Sequence, residues 1–290
     1  MLSLPDHDIA VVGGGISGIY TAWSLLQTPS AHLTGQTRTW ADARRGQLDV
    51  AVYEGSDRIG GRLLSARSDR MPDTTCELGG MRYVSTHRRI VELIENKLQL
   101  PWKPHIVNPR CGSNICFVRN TPLQSNKLYN LGALPYHFAT YEQHHLAESP
   151  FTIVKKSLIM ALPDFENDHL QGRGHLYAWF QKQSVDGVEL YRWGFWNLLL
   201  RFLSGEAYEA AIDTVGYDVL GANYNAVDMI AEIFDFANDV EYRQLEDGYE
   251  KLPWTLKEKF EQLGGKVHTG SWLVGFDFDG ETFSLQFSNN

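Results

Sequence analysis

Ile9-Ala10-Val11-Val12-Gly13-Gly14-Gly15-Ile16-Ser17-Gly18 decides how this chain folds. Four apolar residues, three of them β-branched, read as a short buried strand. Gly13, Gly15 and Gly18 then fit G-x-G-x-x-G. The first glycine permits a tight turn, the second lets backbone approach a pyrophosphate, and the third lets the next helix pack closely on the strand. Ser17 to Leu26 has helical spacing, so its first amides and partial positive charge point at that pyrophosphate. Strand, glycine turn and helix open a doubly wound α/β sheet. A second strand, Val50-Ala51-Val52-Tyr53, ends in Glu54, an acceptor placed for ribose hydroxyls. The gap from Gly18 to Glu54 exceeds the usual spacing of about 20 residues. Pro29 to Gln47, polar and rich in Thr, Arg and Gly, reads as a surface insertion that absorbs the excess.

A second glycine signature follows at once: Glu54-Gly55-Ser56-Asp57-Arg58-Ile59-Gly60-Gly61-Arg62. It resembles the segment after the second strand in the flavin-containing amine oxidase family. Glu77-Leu78-Gly79-Gly80-Met81-Arg82-Tyr83 resembles the L-amino-acid oxidase branch of that family. The resemblance implies an FAD-binding, Rossmann-like domain with an inserted α+β substrate and helical region. It implies oxidative deamination of L-amino acids to 2-oxo acids, with molecular oxygen as co-substrate and ammonia and hydrogen peroxide as products. Carried over residue by residue, it assigns FAD to Gly13, Gly15, Ile16, Ser17, Gly18, Glu54, Gly55, Arg58, Gly60, Gly61 and Arg62. It adds Gly79, Gly80, Met81 and Arg82 beside the flavin, and Val267 through its backbone. Arg82 receives the substrate carboxylate, and Tyr83 lines the pocket.

The residue types suit those roles. Gly60 and Gly61 allow backbone conformations closed to other residues, and Arg58 and Arg62 offer donors to phosphate. A bidentate guanidinium at Arg82 supplies both charge and direction to a carboxylate. Simpler readings stand beside these: solvated arginines around a glycine turn, a core valine at Val267, a core tyrosine at Tyr83, and Arg82 paired with Glu77 or a cofactor phosphate. No residue stands out as a general acid or base.

Three regions follow from the pattern. Residues 1–100 hold the first part of the FAD-binding domain, with a helix expected over Thr86 to Leu98. Residues 101–240 form the substrate-binding and helical region, with a strand at Ile115 to Val118 and a helix over Ala226 to Val240. That helix carries Val227, Ile230, Ile233, Phe234 and Ala237 on one face, which makes Met229 a core residue. Leu190 to Leu198 and Gly216-Tyr217-Asp218 to Asn225 also resemble amino-acid oxidases. Residues 241–290 return to the FAD-binding domain: Gly248 to Pro253, a helix over Trp254 to Leu263 stopped by Gly264-Gly265, a strand at Lys266 to Thr269, and an antiparallel edge at Ser284 to Phe287.

At 290 residues and 43% hydrophobic, the chain can bury a sizeable core. Its net charge of −9 argues against nucleic acid or anionic membrane as a general partner. Cys76, Cys111 and Cys116 read as isolated thiols, which with the absence of a basic or apolar leader suggests the cytoplasm. Nothing approaches a membrane span. His137, His144, His145 and the cysteines lack metal-ligand spacing, so no metal is expected. Asp164, Glu166 and Asp168 read as a solvated turn, and Asn223, Tyr224 and Asn225 as a helix-entry turn or the edge of a substrate cavity. The remaining family segments, a lysine-linked water among them, are not visible. The chain is therefore expected to be inactive alone and to need a C-terminal extension or a complementing C-terminal polypeptide; a homo-oligomer is the other partner considered. The alternatives are a non-catalytic FAD-binding fragment or split-enzyme subunit, and an oxidase of amines that lack a carboxylate.

Overall fold

The computed structural model describes residues 6–106, 114–145, 150–166, 173–215, 223–236 and 241–289. Cys111, Asp168, Ala237 and the run 216–222 lie outside them. The chain divides into two compact units: Met1–Ile106 with Glu241–Asn290, and Val107–Val240.

The first unit opens with β1 (Ile9–Val12), α1 (Ile16–Gln27), α2 (Gly35–Ala43) and β2 (Val50–Tyr53). The stretch read as a polar insertion thus contains a helix. Its one fully buried residue is Ala41, so no apolar stripe marks it in the sequence. β3 (Ser65–Ser68) and β4 (Met71–Glu77) form an antiparallel hairpin. After β5 (Tyr83–Val84), α3 (Arg88–Val91) runs into a π-helical turn, Glu92–Lys97. The extra residue of that turn carries Leu93 and Ile94 into the core. β6 (Trp102–Pro104) ends the segment.

The second unit holds the hairpin of β7 (Ile115–Val118) and β8 (Thr121–Gln124), then α4 (Thr140–His145), α5 (Pro150–Ala161) and α6 (Arg173–Phe180). A small hairpin, β9 (Ser184–Val185) with β10 (Val188–Glu189), leads to α7 (Phe195–Leu200), α8 (Gly205–Val215) and α9 (Ala226–Phe236). Its core gathers Ile153, Leu158, Phe180, Phe195, Leu198 and Ile230, with Met229 buried among them. Asp164 lies exposed in a short 3₁₀ turn, Pro163–Glu166. Glu142 is a buried carboxylate satisfied on both oxygens: it accepts from Ala139 N (2.8 Å), Ser204 N (2.8 Å), Ser204 Oγ (2.7 Å) and Tyr141 OH (3.1 Å). It reaches back to the start of α4, as the acidic member of a capping box does, and also fixes the entry to α8.

The chain then returns to the first unit through β11 (Tyr242–Leu245), α10 (Lys251–Gln262), β12 (Lys266–His268), β13 (Ser271–Phe278) and β14 (Phe283–Asn289). β12 and β1 flank β2 in a parallel sheet, with Val267 opposite Val52 and Val11 opposite Val52 on the other side. Val50, Ala51 and Val52 are buried, as a central parallel strand requires. On the sheet lie α1 and α10, whose Ile19, Ala22, Trp23, Leu252, Leu256 and Phe260 form the core. β11 sits between β5 and β6 in an antiparallel sheet. β13 and β14 form a hairpin that seats Phe287 on Tyr53, which in turn stacks on His268 (ring centroids 4.3 and 4.9 Å). Trp272, Phe276 and Phe283 of this hairpin are exposed. Among the described residues no helix is long and apolar enough to cross a membrane.

Candidate cofactor and substrate site

All residues of the glycine signatures belong to the first unit, and its backbone joins them into one layer. Gly13 N donates to Tyr53 O (2.8 Å), which docks the first turn on the end of β2. Gly60 N donates to Gly14 O (2.9 Å), bringing the second signature onto the first. Arg62 O accepts from Gly80 N (3.0 Å) and Leu64 O from Leu78 N (2.8 Å), which adds the third. Side chains are excluded where these segments meet. A Cβ on Gly18 would lie 2.0 Å from Gly13 O, and one on Gly79 would lie 1.9 Å from Arg62 O. Gly60, at φ +104°, holds a conformation that other residues rarely adopt. At the head of α1 there is no side-chain cap and no acidic residue in the first turn. Its first amides are therefore left for an anion, which fits the pyrophosphate of a dinucleotide.

Glu54 sits at the centre of this layer. Its Oε2 accepts from Gly14 N (2.6 Å), and its Oε1 accepts from Ser56 N and Ser56 Oγ (both 2.8 Å). Burial alone would raise its pKa. The Ser56 and Gly14 hydrogen bonds and the Arg58 charge outweigh that and hold it below the usual 4.5. An ionised carboxylate with unused lone pairs at the end of β2 is what recognition of ribose hydroxyls needs. Trp272 lies against Gly55, where a Cβ would come within 2.4 Å of the indole.

The other sequence candidates divide. Ile16 and Met81 are half-buried and Ser17 is exposed. Gly61 stands by Gly15, a Cβ on it lying 3.3 Å from Gly15 Cα. Val267 is half-buried on the outer strand of the parallel sheet, so its side chain packs while its backbone faces outward. Arg62 is exposed. Arg58, expected to face phosphate, turns inward: Nη1 donates to Ile59 O (3.2 Å) and Leu63 O (3.3 Å), and Nη2 to Gly61 O (2.7 Å). It braces the glycine turn by meeting carbonyls that the turn leaves unpaired.

Tyr83 is also placed differently from the pocket-lining expectation. It is 2% exposed and its hydroxyl donates to Glu95 (2.9 Å), which also accepts from Arg243 Nη1 (2.7 Å). Burial first, and the Glu95 hydrogen bond second, push its pKa well up, so it stays a neutral donor inside the unit. Arg82 points to the other face, is half-buried, and lies over the Tyr242 ring, 4.8 Å from its centroid. Glu77, the alternative partner weighed for Arg82, accepts from Tyr249 N (2.8 Å) and Ser65 Oγ (2.7 Å). Those bonds tie the Gly248 turn to the β3–β4 hairpin.

In the second unit, Asn223 Oδ1 accepts from Trp196 N (3.2 Å) and caps α7, while Asn225 Oδ1 accepts from Val227 N (2.9 Å) at the start of α9. Asn225 also borders an open cleft of about 570 Å³ with Tyr177, Gln181, Tyr191, Val227 and Asp228. Among the described residues no cluster of His, Cys, Asp or Glu has the arrangement of a metal site, and Cys76 and Cys116 are free thiols. Sequence reasoning missed Ser56 and Tyr242. A hydroxyl two residues after the acid that ends a strand could have revealed Ser56. Nothing local marks Tyr242, which reaches Arg82 through strand pairing.

Comparison with known proteins agrees with this geometry. The family described as "Flavin containing amine oxidoreductase" matches residues 16–290. Achacin of Lissachatina fulica is 32% identical over 187 residues, 62% of this chain and 32% of achacin. Aplysianin-A of Aplysia kurodai is 26% identical over 263 residues, 88% of this chain and 42% of that protein. The fold is shared with a putrescine oxidase redesigned in its cofactor binding: TM-score 0.57 at 16% identity, over 97% of this chain and 54% of the oxidase. The chain thus spans about a third to a half of the proteins it matches. With FAD as its cofactor, it belongs to the flavin containing amine oxidoreductase family.

Proposed function

We propose that the protein to which this chain belongs converts an L-amino acid, water and oxygen into a 2-oxo acid, ammonia and hydrogen peroxide. One observation carries the reading: a half-buried arginine, Arg82, follows directly on the glycine segment that joins the cofactor layer. FAD, when bound, supplies the two-electron acceptor. The chain's own residues hold and orient. Glu54 accepts ribose hydroxyls, the first amides of α1 meet pyrophosphate, and Gly79 and Gly80 present backbone without side chains. Arg82 grips the substrate carboxylate with two N–H donors, which fixes the direction of the Cα–H. The substrate amine must be neutral so that its lone pair assists departure of that hydrogen as hydride. The resulting imino acid takes up water and releases ammonia. An amine without a carboxylate gains nothing from Arg82.

The test is peroxide production by the FAD-loaded, full-length protein with L-amino acids and with their decarboxylated amines. Amino acids should be strongly preferred. Arg82→Met should lower kcat/KM for them roughly 30- to 150-fold, from about 2–3 kcal/mol for a charged hydrogen-bonded contact. Equal turnover of amino acid and amine by the unaltered protein would instead assign it to simple amines.

A further inference from the structure

Tyr83 and Tyr249 stand side by side in the first unit, 2% and 8% exposed, with ring centroids 6.3 Å apart. They use their hydroxyls differently. Tyr83 donates to Glu95 (2.9 Å). Among the described residues the Tyr249 hydroxyl has no hydrogen-bond partner, yet it is not sealed in the core as the unpartnered Trp23 Nε1 is. It therefore keeps access to the surface of the unit. Within the chain this hydroxyl does nothing that phenylalanine would not, so its use lies in a group that comes from outside.

The backbone sets this ring on the cofactor layer. Tyr249 N donates to Glu77 Oε1 (2.8 Å) and Glu250 N to Ser65 Oγ (3.2 Å), which anchors the residue to the β3–β4 hairpin. One edge of the ring lies against Gly80: a Cβ there would come within 3.8 Å of Cδ1 and 3.9 Å of Cε1. Further on, Pro253 lies against Gly60, 3.5 Å from where a Cβ would stand. The layer also has a direction. Glu54 holds the ribose end, Gly14 and Gly60 follow at the head of α1, and Gly80 comes last, joined through Arg62. A dinucleotide laid along it, adenosine at Glu54 and pyrophosphate at α1, brings its flavin half to Gly80 and so to Tyr249. Burial first, and the Glu77 charge second, push the Tyr249 pKa up to about 12, which keeps it a neutral donor. Ribityl and isoalloxazine oxygens are acceptors. We propose that the Tyr249 hydroxyl is a hydrogen-bond donor to the flavin half of FAD, meeting a ribityl or isoalloxazine oxygen beside Gly80. This rests on the placement of FAD along the glycine layer.

The test uses the full-length, FAD-free protein and compares binding of FAD with binding of ADP, which shares the adenosine and pyrophosphate but carries no flavin. Tyr249→Phe removes the hydroxyl and keeps the ring. It should raise Kd for FAD about two- to thirteenfold, the range of one neutral hydrogen bond, with Kd for ADP and the melting temperature of the FAD-free protein unchanged. Unchanged Kd for FAD overturns the proposal, as does an equal rise for ADP. So does a lower melting temperature of the FAD-free variant, which would put the partner of the hydroxyl inside the chain. Where the variant does not fold, an isotope label at Cζ of Tyr249 in the unaltered protein decides: its NMR signal should move when FAD binds and stay when ADP binds, and a signal indifferent to FAD overturns the proposal. Glu54→Gln separates the two layers of the argument. If it weakens both FAD and ADP while Tyr249→Phe changes neither, only the role of Tyr249 fails. If Glu54→Gln changes neither, the placement of the dinucleotide fails and takes this inference with it.

Discussion

Glu54→Gln is expected to weaken FAD binding while leaving the protein folded, and the geometry sets the size of both effects. The native carboxylate accepts three hydrogen bonds from its own chain, one on Oε2 and two on Oε1. Glutamine has a single acceptor oxygen, which would stay on Gly14 N. The Ser56 hydroxyl also lies 2.7 Å from Arg58 O, so its one proton can turn from Glu54 to that carbonyl and leave its oxygen to accept from the new amide. Only Ser56 N–H then loses its partner, and Ser56 is exposed, so water replaces it. The cost to the FAD-free protein is about 1 kcal/mol, the low end for such a bond. The ribose contact loses a charged acceptor of two hydroxyls. That amounts to a further 1–3 kcal/mol, or roughly a 5- to 150-fold rise in Kd. Titration of the FAD-free protein, followed by quenching of flavin fluorescence, reads the second effect, and a denaturant midpoint reads the first. Unchanged Kd in a folded variant would refute the placement of ribose at Glu54. Glu54→Asp keeps the charge but is one methylene shorter, and should fail to reach Gly14 N.

Gly18→Ala and Gly79→Ala should abolish FAD binding, because each new Cβ meets a backbone carbonyl at about 2 Å. Gly205→Ala, at the first turn of α8 with nothing within 4 Å, should be neutral or stabilise by up to about 1 kcal/mol in thermal melts. Glu142→Gln should destabilise the second unit by about 1–3 kcal/mol, since an amide cannot accept from all four donors that face it; a chemical denaturation curve reads this. The Arg119 hydrogen bonds first, then the His137 amide, hold Glu206 down to about 2. A group lowered by folding contributes stability above its unfolded value near 4.5 and loses it as pH falls towards 2. Acid unfolding of the wild type should therefore be steeper across that window than that of Glu206→Gln, followed by near-ultraviolet circular dichroism.

What the sequence shows plainly is what is local. The turn from β1 into α1 and the acid ending β2 are written in consecutive residues, because a tight turn and a close helix admit few alternatives to glycine. Arg58 shows where this stops: a guanidinium after a glycine turn suits phosphate and backbone carbonyls equally, and only the path of the turn decides. The Tyr83 hydroxyl finds Glu95 because a π-helical turn rotates that helix, a displacement that no periodicity announces. Tyr242 is farther still from view, since its meeting with Arg82 depends on the register of β11 against β5, set across an intervening unit. α2 hid for the opposite reason: with little to bury, it leaves almost no pattern.

The interruption of the first unit has a consequence in time. β2 receives β12, and among the described residues β11 joins β5 to β6, so three strands made early wait for partners made after residue 240. At about 5–20 residues per second, a ribosome needs roughly 8–32 s to go from Ile106 to His268. For that interval the nascent chain carries unpaired strand edges and an uncovered apolar sheet face. The intervening unit can complete its own core meanwhile. Newly made molecules therefore pass through a stage in which one half is compact and the half destined for FAD is open, and sheltering that stage should govern the yield of soluble protein.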